Sequence, residues 1–244
     1  MLQWLYYKLC IETMENNNIK PIAGAIIIAG VLIAGAILLK DSSGSGVSAP
    51  ISKQVGLSVK KFNACLESGK FKDKVQADVD DGVVAGVSGT PSSFILKDGQ
   101  TVSFTTEDGK EYDSIPGAQP YEIVMKNINR ILGSEVESKE TKIRPVSAED
   151  HVVGDLNTAK LVVVEYSDLE CPFCKSFHAT MHQVVEKSNG DVAWVYRHYP
   201  IPQLHPKALR AAEATECAWE QGGNKAFWKY ADKVFEIGLQ TNTF

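Results

Sequence analysis

The sequence predicts an α/β fold, and three observations carry that prediction. "KLVVVEYSD", 160–168, is a near-continuous apolar run of strand length, as expected of a strand buried on both faces. "DVAWVYRHYP", 191–200, is a second such run, ended by Pro200, with a helical stretch at 171–188 between the two. Further upstream, "VSGTPSSFILKDGQTVSFTT", 87–106, reads as two strands joined at the turn dipeptide Asp98–Gly99. Strands alternate with helices, which is the α/β pattern.

Taken in order, the chain begins with its most biased segment. "IAGAIIIAGVLIAGAILL", 22–39, has no charge and lies between Lys20 and Lys40. At about 1.5 Å per residue it nearly spans a hydrocarbon core of roughly 30 Å. A cleaved signal peptide is the alternative, but the run is long for one and no small-x-small site follows directly. We read residues 22–39 as an uncleaved single-pass anchor in the cell membrane. Lys8 and Lys20 lean residues 1–21 to the cytoplasmic side and the rest to the outside. Met14 would be a natural start for such an anchor, and Cys10 would then be incidental.

Residues 40–50 form a Ser/Gly-rich flexible linker. Residues 51–81 read as helical, with Leu57, Phe62, Leu66, Phe71 and Val75 apolar and a break at Gly69. Residues 119–132 read as a helix with Ile123, Ile128 and Ile131 for its core face, and the charged run 133–142 reads as a solvated linker. Beyond the second strand, 205–221 and 224–236 are helices separated by Gly222–Gly223.

The composition, 44% hydrophobic and 23% charged, is that of a globular protein. A net charge of −5 with no basic cluster argues against nucleic acid as a partner. Five cysteines are too few for a disulfide-stapled miniprotein, and their odd number leaves at least one thiol over.

Cys171 and Cys174 in "CPFC" follow the first buried strand. A zinc site needs four ligands, and there is a single C-x-x-C; His178 and His182 follow at helical spacing, but the helix carries them away from Cys171. No metal site is therefore expected in the chain. A structural disulfide would close too small a loop to stabilise much. Redox chemistry fits each local feature. Pro172 suits the first helical position, which puts Cys171 at the N-cap. There the unpaired N–H groups and the helix dipole favour a thiolate. Cys174, one turn on, can resolve a mixed disulfide. Glu165, inside the apolar strand, is either a solvated strand-end charge or a buried carboxyl that relays a proton to Cys174; we expect the relay. Glu170 would oppose the thiolate somewhat.

"VVVEYSDLECPFCKSFH" resembles the DsbA-like thiol–disulfide oxidoreductases, and "YRHYPIPQLHPKALRAAEATECAWEQGGNKAFWKYADKVFE" continues the resemblance. "GLSVKKFNACLESGKFKDKVQADVDDGVVAGVSGTPSSFIL" and "PGAQPYEIVMKNINRIL" resemble the family's C-terminal half, yet they come first. The resemblance implies a thioredoxin-like fold with a helical insertion, circularly permuted, the cut falling between "VFEIGL" and "ISKQVGL". A domain-swapped dimer or a fused reading of tandem genes are the alternatives. On this reading residues 51–132 are the family's C-terminal half, 133–144 a linker, and 145–244 the N-terminal half. It also implies that Pro91 is a cis-proline beside the active disulfide; an X-Pro bond costs only about 0.5–1 kcal/mol in cis. Thr90, Pro91, Pro172 and Phe173 would then form the substrate site, with the Thr90 backbone pairing to an extended peptide. Cys65 and Cys217, on the implied insertion helices, would form a second disulfide, or else remain buried thiols.

The expected function is a membrane-anchored, extracytoplasmic oxidoreductase acting on reduced cysteine-containing proteins. Catalysis would rest on Cys171, Cys174 and Glu165, without an organic cofactor. A quinone-linked membrane oxidase is the recycling partner the resemblance implies. A reductase or isomerase would use the same residues, and a non-catalytic tethered module is the rival from another class.

Overall fold

A computed structural model describes residues 49–239 and 243–244. In chain order, helices α1 (Ile51–Gln54), α2 (Val59–Ser68) and α3 (Lys72–Ala85) precede strands β1 (Ser92–Lys97), β2 (Gln100–Val102), β3 (Phe104–Thr105), β4 (Glu111–Tyr112) and β5 (Ile115–Pro116). Helix α4 (Tyr121–Gly133), β6 (Ser138–Lys139), β7 (His151–Val153), β8 (Leu161–Ser167), α5 (Pro172–Lys187), β9 (Val192–His198) and α6 (Ala208–Ile237) follow. The main sheet has the order β6-β2-β1-β8-β9-β7, with β5 also paired to β1. Among the described strands of this sheet, only β8 and β9 run parallel, joined by α5; the other pairs are antiparallel.

The valine run of β8 is explained by what lies on either side of it. Leu161 and Val163 join Ile95, Trp194, Tyr196, Ile128, Phe177, Met181 and Phe227 in the larger core. Val164 and Tyr166 face the opposite way, into a smaller core with Phe94, Leu96 and Val195. Period-two alternation thus sends apolar groups to both faces, and both are covered. Fully burying each such side chain stabilises by about 1.5–3 kcal/mol over leaving it exposed.

The 51–81 helical region is interrupted twice. Gly69, with φ 62°, caps α2 as expected, but a further break comes at Val55–Ser58, where Gly56 has φ 84°. Helix α3 also outruns the expectation and ends at Ala85. The expected end at 81 falls just before Gly82, and glycine weakens a helix. Here the missing side chain is what lets α3 meet the sheet: a Cβ at Gly82 would stand 2.8 Å from the Tyr199 ring and 3.0 Å from that of Tyr166. The hairpin turn is as expected, with Asp98 at φ 52° and Gly99 at φ 76°. Residues 133–142 are not wholly linker, because Ser138 and Lys139 pair with Val102 and Thr101 at the sheet edge. Both are exposed, and a short charged strand is a common guard on an open edge. Strand β3 lies within the expected second strand of the hairpin, whereas its partner β4 was not foreseen. Gly222 and Gly223 leave helical geometry inside α6, so two helices meet there across a kink.

A buried ion network ties the two halves of the chain together. Arg197 of β9 is fully buried; its Nε and Nη2 donate to Asp150 at 2.9 and 3.1 Å, and its Nη1 donates to Asp81 of α3 at 2.7 Å. Arg144 donates from Nη2 to Asp78 at 2.7 Å and to Asp150 at 3.1 Å. The charges are paired within the network, which is the condition for burying them at tolerable cost. Cys65 of α2 and Cys217 of α6 form a disulfide across the same divide, with Cα atoms 5.8 Å apart.

Residues 49–244 form one compact unit. No helix among the described residues is long and apolar enough to cross a membrane. The expected anchor at 22–39, with residues 1–21, Cys10 and most of the 40–50 linker, lies outside the described residues.

The Cys65–Cys217 bridge spans 152 residues of sequence, so its loss should free a long loop in the unfolded chain. Replacing both by serine should lower the unfolding free energy by about 4–5 kcal/mol. Urea titration of the variant against the parent measures it.

Candidate active site

Strand β8 ends at Ser167, and Asp168 organises the turn that follows. Its Oδ1 accepts from the Glu170 N–H at 2.8 Å, and its Oδ2 accepts from the Ile201 N–H at 2.9 Å and lies 2.8 Å from His205 Nδ1. The Asp168 carbonyl accepts from the Cys171 N–H at 3.1 Å. Cys171 is thereby set at the N-cap of α5 with extended dihedrals (φ −73°, ψ 124°), and Pro172 occupies the first turn. Glu170, expected to oppose the thiolate, turns aside to accept the Lys207 N–H at 2.7 Å.

The Thr90–Pro91 peptide is cis, and this loop meets the cysteine pair. The Cys171 thiol donates to the Thr90 carbonyl over 3.6 Å. Cys174 is fully buried, and its sulfur accepts the Asp168 N–H at 3.4 Å. Phe173, between the cysteines, is 66% exposed and forms an apolar knob at the rim.

The two thiols are driven in opposite directions. Cys171 is lowered from 9.0 to about 5, first by the Cys174 thiol, which donates to the thiolate, and then by the Cys174 N–H; burial opposes this. The helix N-terminus therefore contributes, but behind the neighbouring thiol. No N–H caps Cys171 in full hydrogen-bond geometry, so the backbone acts by orientation and charge rather than by a closed bond. Cys174 is pushed far above the ordinary thiol range, chiefly by burial, then by its role as donor to Cys171 and by the Glu165 charge.

Glu165 sits in mid-sheet, paired in register with Ser93 of β1 on one side and Tyr196 of β9 on the other. It is wholly buried, and burial raises its carboxyl from 4.5 to about 7. The solvated strand-end alternative is thus excluded. Neither carboxylate oxygen reaches a partner in hydrogen-bond geometry among the described residues, although Ser167 and Trp194 lie close enough to favour the charged form slightly. Ser93 Oγ, Ser167 Oγ, Trp194 Nε1 and Tyr196 OH are likewise buried without a closed hydrogen bond to any described residue. They come from the same three neighbouring strands as Glu165. Sequence reasoning missed these four and Asp168. Polar residues at alternate positions near Glu165 were the available signal, but only strand pairing adds Ser93.

The structure has a mixed α/β, thioredoxin-like fold. Residues 147–241 match the family model described as thioredoxin. The chain is 41% identical over 95 residues to a protein of Mycolicibacterium vanbaalenii named Na(+)/H(+) antiporter NhaA 1, covering 38% of this chain and 15% of that protein. It is 42% identical over 83 residues to Na(+)/H(+) antiporter NhaA 3 of Salinispora tropica, covering 34% and 12%. The chain thus spans less than a fifth of the length of these relatives. Among solved structures, the crystal structure of Pseudomonas aeruginosa DsbA2 is 37% identical over 41% of this chain and 53% of that one, with a TM-score of 0.36.

Because the folded pKa of Cys171 is depressed, its thiolate stabilises the reduced protein above pH 9, and that contribution is lost as pH falls toward 5. Brief alkylation of the reduced protein across pH should label Cys171 with a midpoint near 5, with Cys174 reacting slowly throughout. Equal labelling of the two, or a Cys171 midpoint near that of a free thiol, would contradict this account.

Proposed function

We propose that the chain is a DsbA-like thiol–disulfide oxidoreductase that forms or exchanges disulfides in other proteins. One observation carries the reading: the low-pKa sulfur of Cys171 lies 3.6 Å from the Thr90 carbonyl, beside cis-Pro91, with the high-pKa Cys174 buried behind it. A peptide docked on this loop would present its sulfur to Cys171 and not to Cys174.

In the oxidising direction, a substrate thiolate attacks Cys171 of the Cys171–Cys174 disulfide. The S–S bond breaks and Cys174 leaves as a thiolate. That thiolate is costly in its buried site, and protonated Glu165, with a pKa of about 7, neutralises it. The second substrate thiolate attacks the mixed disulfide, and Cys171 departs as a stable thiolate, two electrons having passed to the protein. The ready departure of Cys171 favours this direction over reduction. In reverse, Glu165 takes the Cys174 proton. Thr90, Pro91, Pro172 and Phe173 form the substrate surface, and no cofactor is needed.

We also propose that the halves are permuted within one domain. In support, the Ile51 N–H donates to the Thr243 carbonyl at 3.4 Å, so the two ends of the unit adjoin where a cut would fall. A single-pass anchor at 22–39, an extracytoplasmic location and recycling by a quinone-linked oxidase remain part of the proposal. Cation antiport, named for the relatives, is not proposed, because the shared stretch is 15% or less of their length.

The oxidised protein should oxidise a dithiol peptide. Cys171→Ser should abolish turnover, whereas Cys174→Ser should trap a mixed disulfide visible by mass spectrometry. A wild-type chain inert in both the peptide-oxidation and insulin-reduction assays would leave only a binding module.

Glu165→Gln isolates the relay. A raised folded pKa means that Glu165 costs nothing below about pH 4.5 and its full penalty above about 7. The variant should therefore be more stable than the parent at pH 8, by roughly 3 kcal/mol, since a tenfold change in proton affinity corresponds to about 1.4 kcal/mol. It should also exchange disulfides more slowly near neutral pH. Stopped-flow rates and melts against pH test both; unchanged rates at every pH would remove Glu165 from the mechanism.

A further inference from the structure

Helix α5 carries two histidines that the redox chemistry does not use. His178 and His182, four residues apart, lie on one face, and Asp232 from the second half of α6 comes to meet them. We propose that His178, His182 and Asp232 bind a divalent transition cation of the zinc class.

The geometry of the three ligand atoms carries the inference. His178 Nε2 is 2.8 Å from Asp232 Oδ1, His182 Nε2 is 3.1 Å from the same oxygen, and the two Nε2 atoms are 3.2 Å apart. Ligands about 2.0–2.1 Å from a tetrahedral zinc stand about 3.3 Å from one another. The triangle is therefore close to one face of that tetrahedron, needing only a few tenths of an ångström of opening. Protons satisfy the same triangle poorly. Both imidazole N–H groups can donate to Oδ1, but the two nitrogens then face each other with no proton between them. A cation above the triangle resolves all three contacts at once.

The surroundings agree. The His178 side chain is 8% exposed, whereas His182 and Asp232 are 38% and 48% exposed, so the site opens to solvent on one side. That opening leaves the fourth position to water or an external ligand. The nearby Lys175 ammonium is drawn off by the Glu236 carbonyl, to which it donates at 3.1 Å. The His178 ring is held by packing against Trp194, Trp228 and Phe235. Its Nδ1 has no hydrogen-bond partner among the described residues. Lacking that outer support, the site should bind some 10–100-fold more weakly than a fully buttressed one. A second set, His151, His198 and Glu216, is buried throughout and has no such opening.

The cation would clamp α6 to the helix that bears the cysteine pair. This does not depend on the redox reading, and the test removes the thiols to keep the two apart. In the Cys171→Ser, Cys174→Ser chain, free of any polyhistidine tag, calorimetric titration with Zn2+ should give one saturable site and a Zn2+-dependent rise in melting temperature. His182→Ala and Asp232→Asn, both at partly exposed positions, should keep the circular dichroism of the parent and weaken Zn2+ binding at least tenfold. Co2+ should report tetrahedral coordination in its visible spectrum, and the two variants should lose it. Absence of saturable binding, or unchanged affinity in both variants, would overturn the proposal.

Discussion

The pairing of β1 with β8 is the constraint on which the rest of the molecule depends. Five registered pairs, from Ser92 with Tyr166 to Leu96 with Val162, zip together strands that lie more than 60 residues apart in the chain. Pro91 immediately precedes β1, and Cys171 follows four residues after β8 ends. Fixing the register therefore fixes where the Thr90 carbonyl stands relative to Cys171. A slip of one residue would turn Phe94 and Leu96 into the wrong core and carry the proline loop off the cysteines. The same pairing brings Ser93 alongside Glu165.

That register is held from both faces. On one side the larger core packs α4, α5 and α6 against the sheet. On the other, the Asp78, Asp81, Arg144, Asp150 and Arg197 network fastens α3 to β9. Buried ion pairs contribute little net stability, but they tolerate few alternative arrangements. An Arg197 displaced from Asp81 and Asp150 would leave buried charges unpaired. The network therefore favours one docking of the two halves over its competitors, and the Cys65–Cys217 bridge limits how far they separate when unfolded.

The chemistry of the site is a division of labour by burial. Two identical thiols, one helical turn apart, differ because one sits at the helix start and accepts a hydrogen bond from the other. The buried partner cannot hold charge, and the acid behind it is itself destabilised as an anion. Whichever of Cys174 and Glu165 is charged, the other is better neutral.

By itself the sequence determined the local elements and the chemically special residues. Continuous apolar runs marked β8 and β9, Asp98–Gly99 marked the hairpin, and C-P-x-C after a strand put Cys171 at a helix N-cap, because each is written in neighbouring residues. Resemblance to a known family pointed further, to Pro91, Cys65 and Cys217. Other features lay beyond local reading. Helix α3 runs past its expected end at 81 because Gly82 lets Tyr166 and Tyr199 lie against it. Ser138 and Lys139 look like linker until β2 offers an edge. The raised pKa of Glu165, the partners around it, and the meeting of Asp232 with His178 and His182 belong to groups distant in sequence. Burial and long-range distance are properties of the packed chain, and only the tertiary structure decided them.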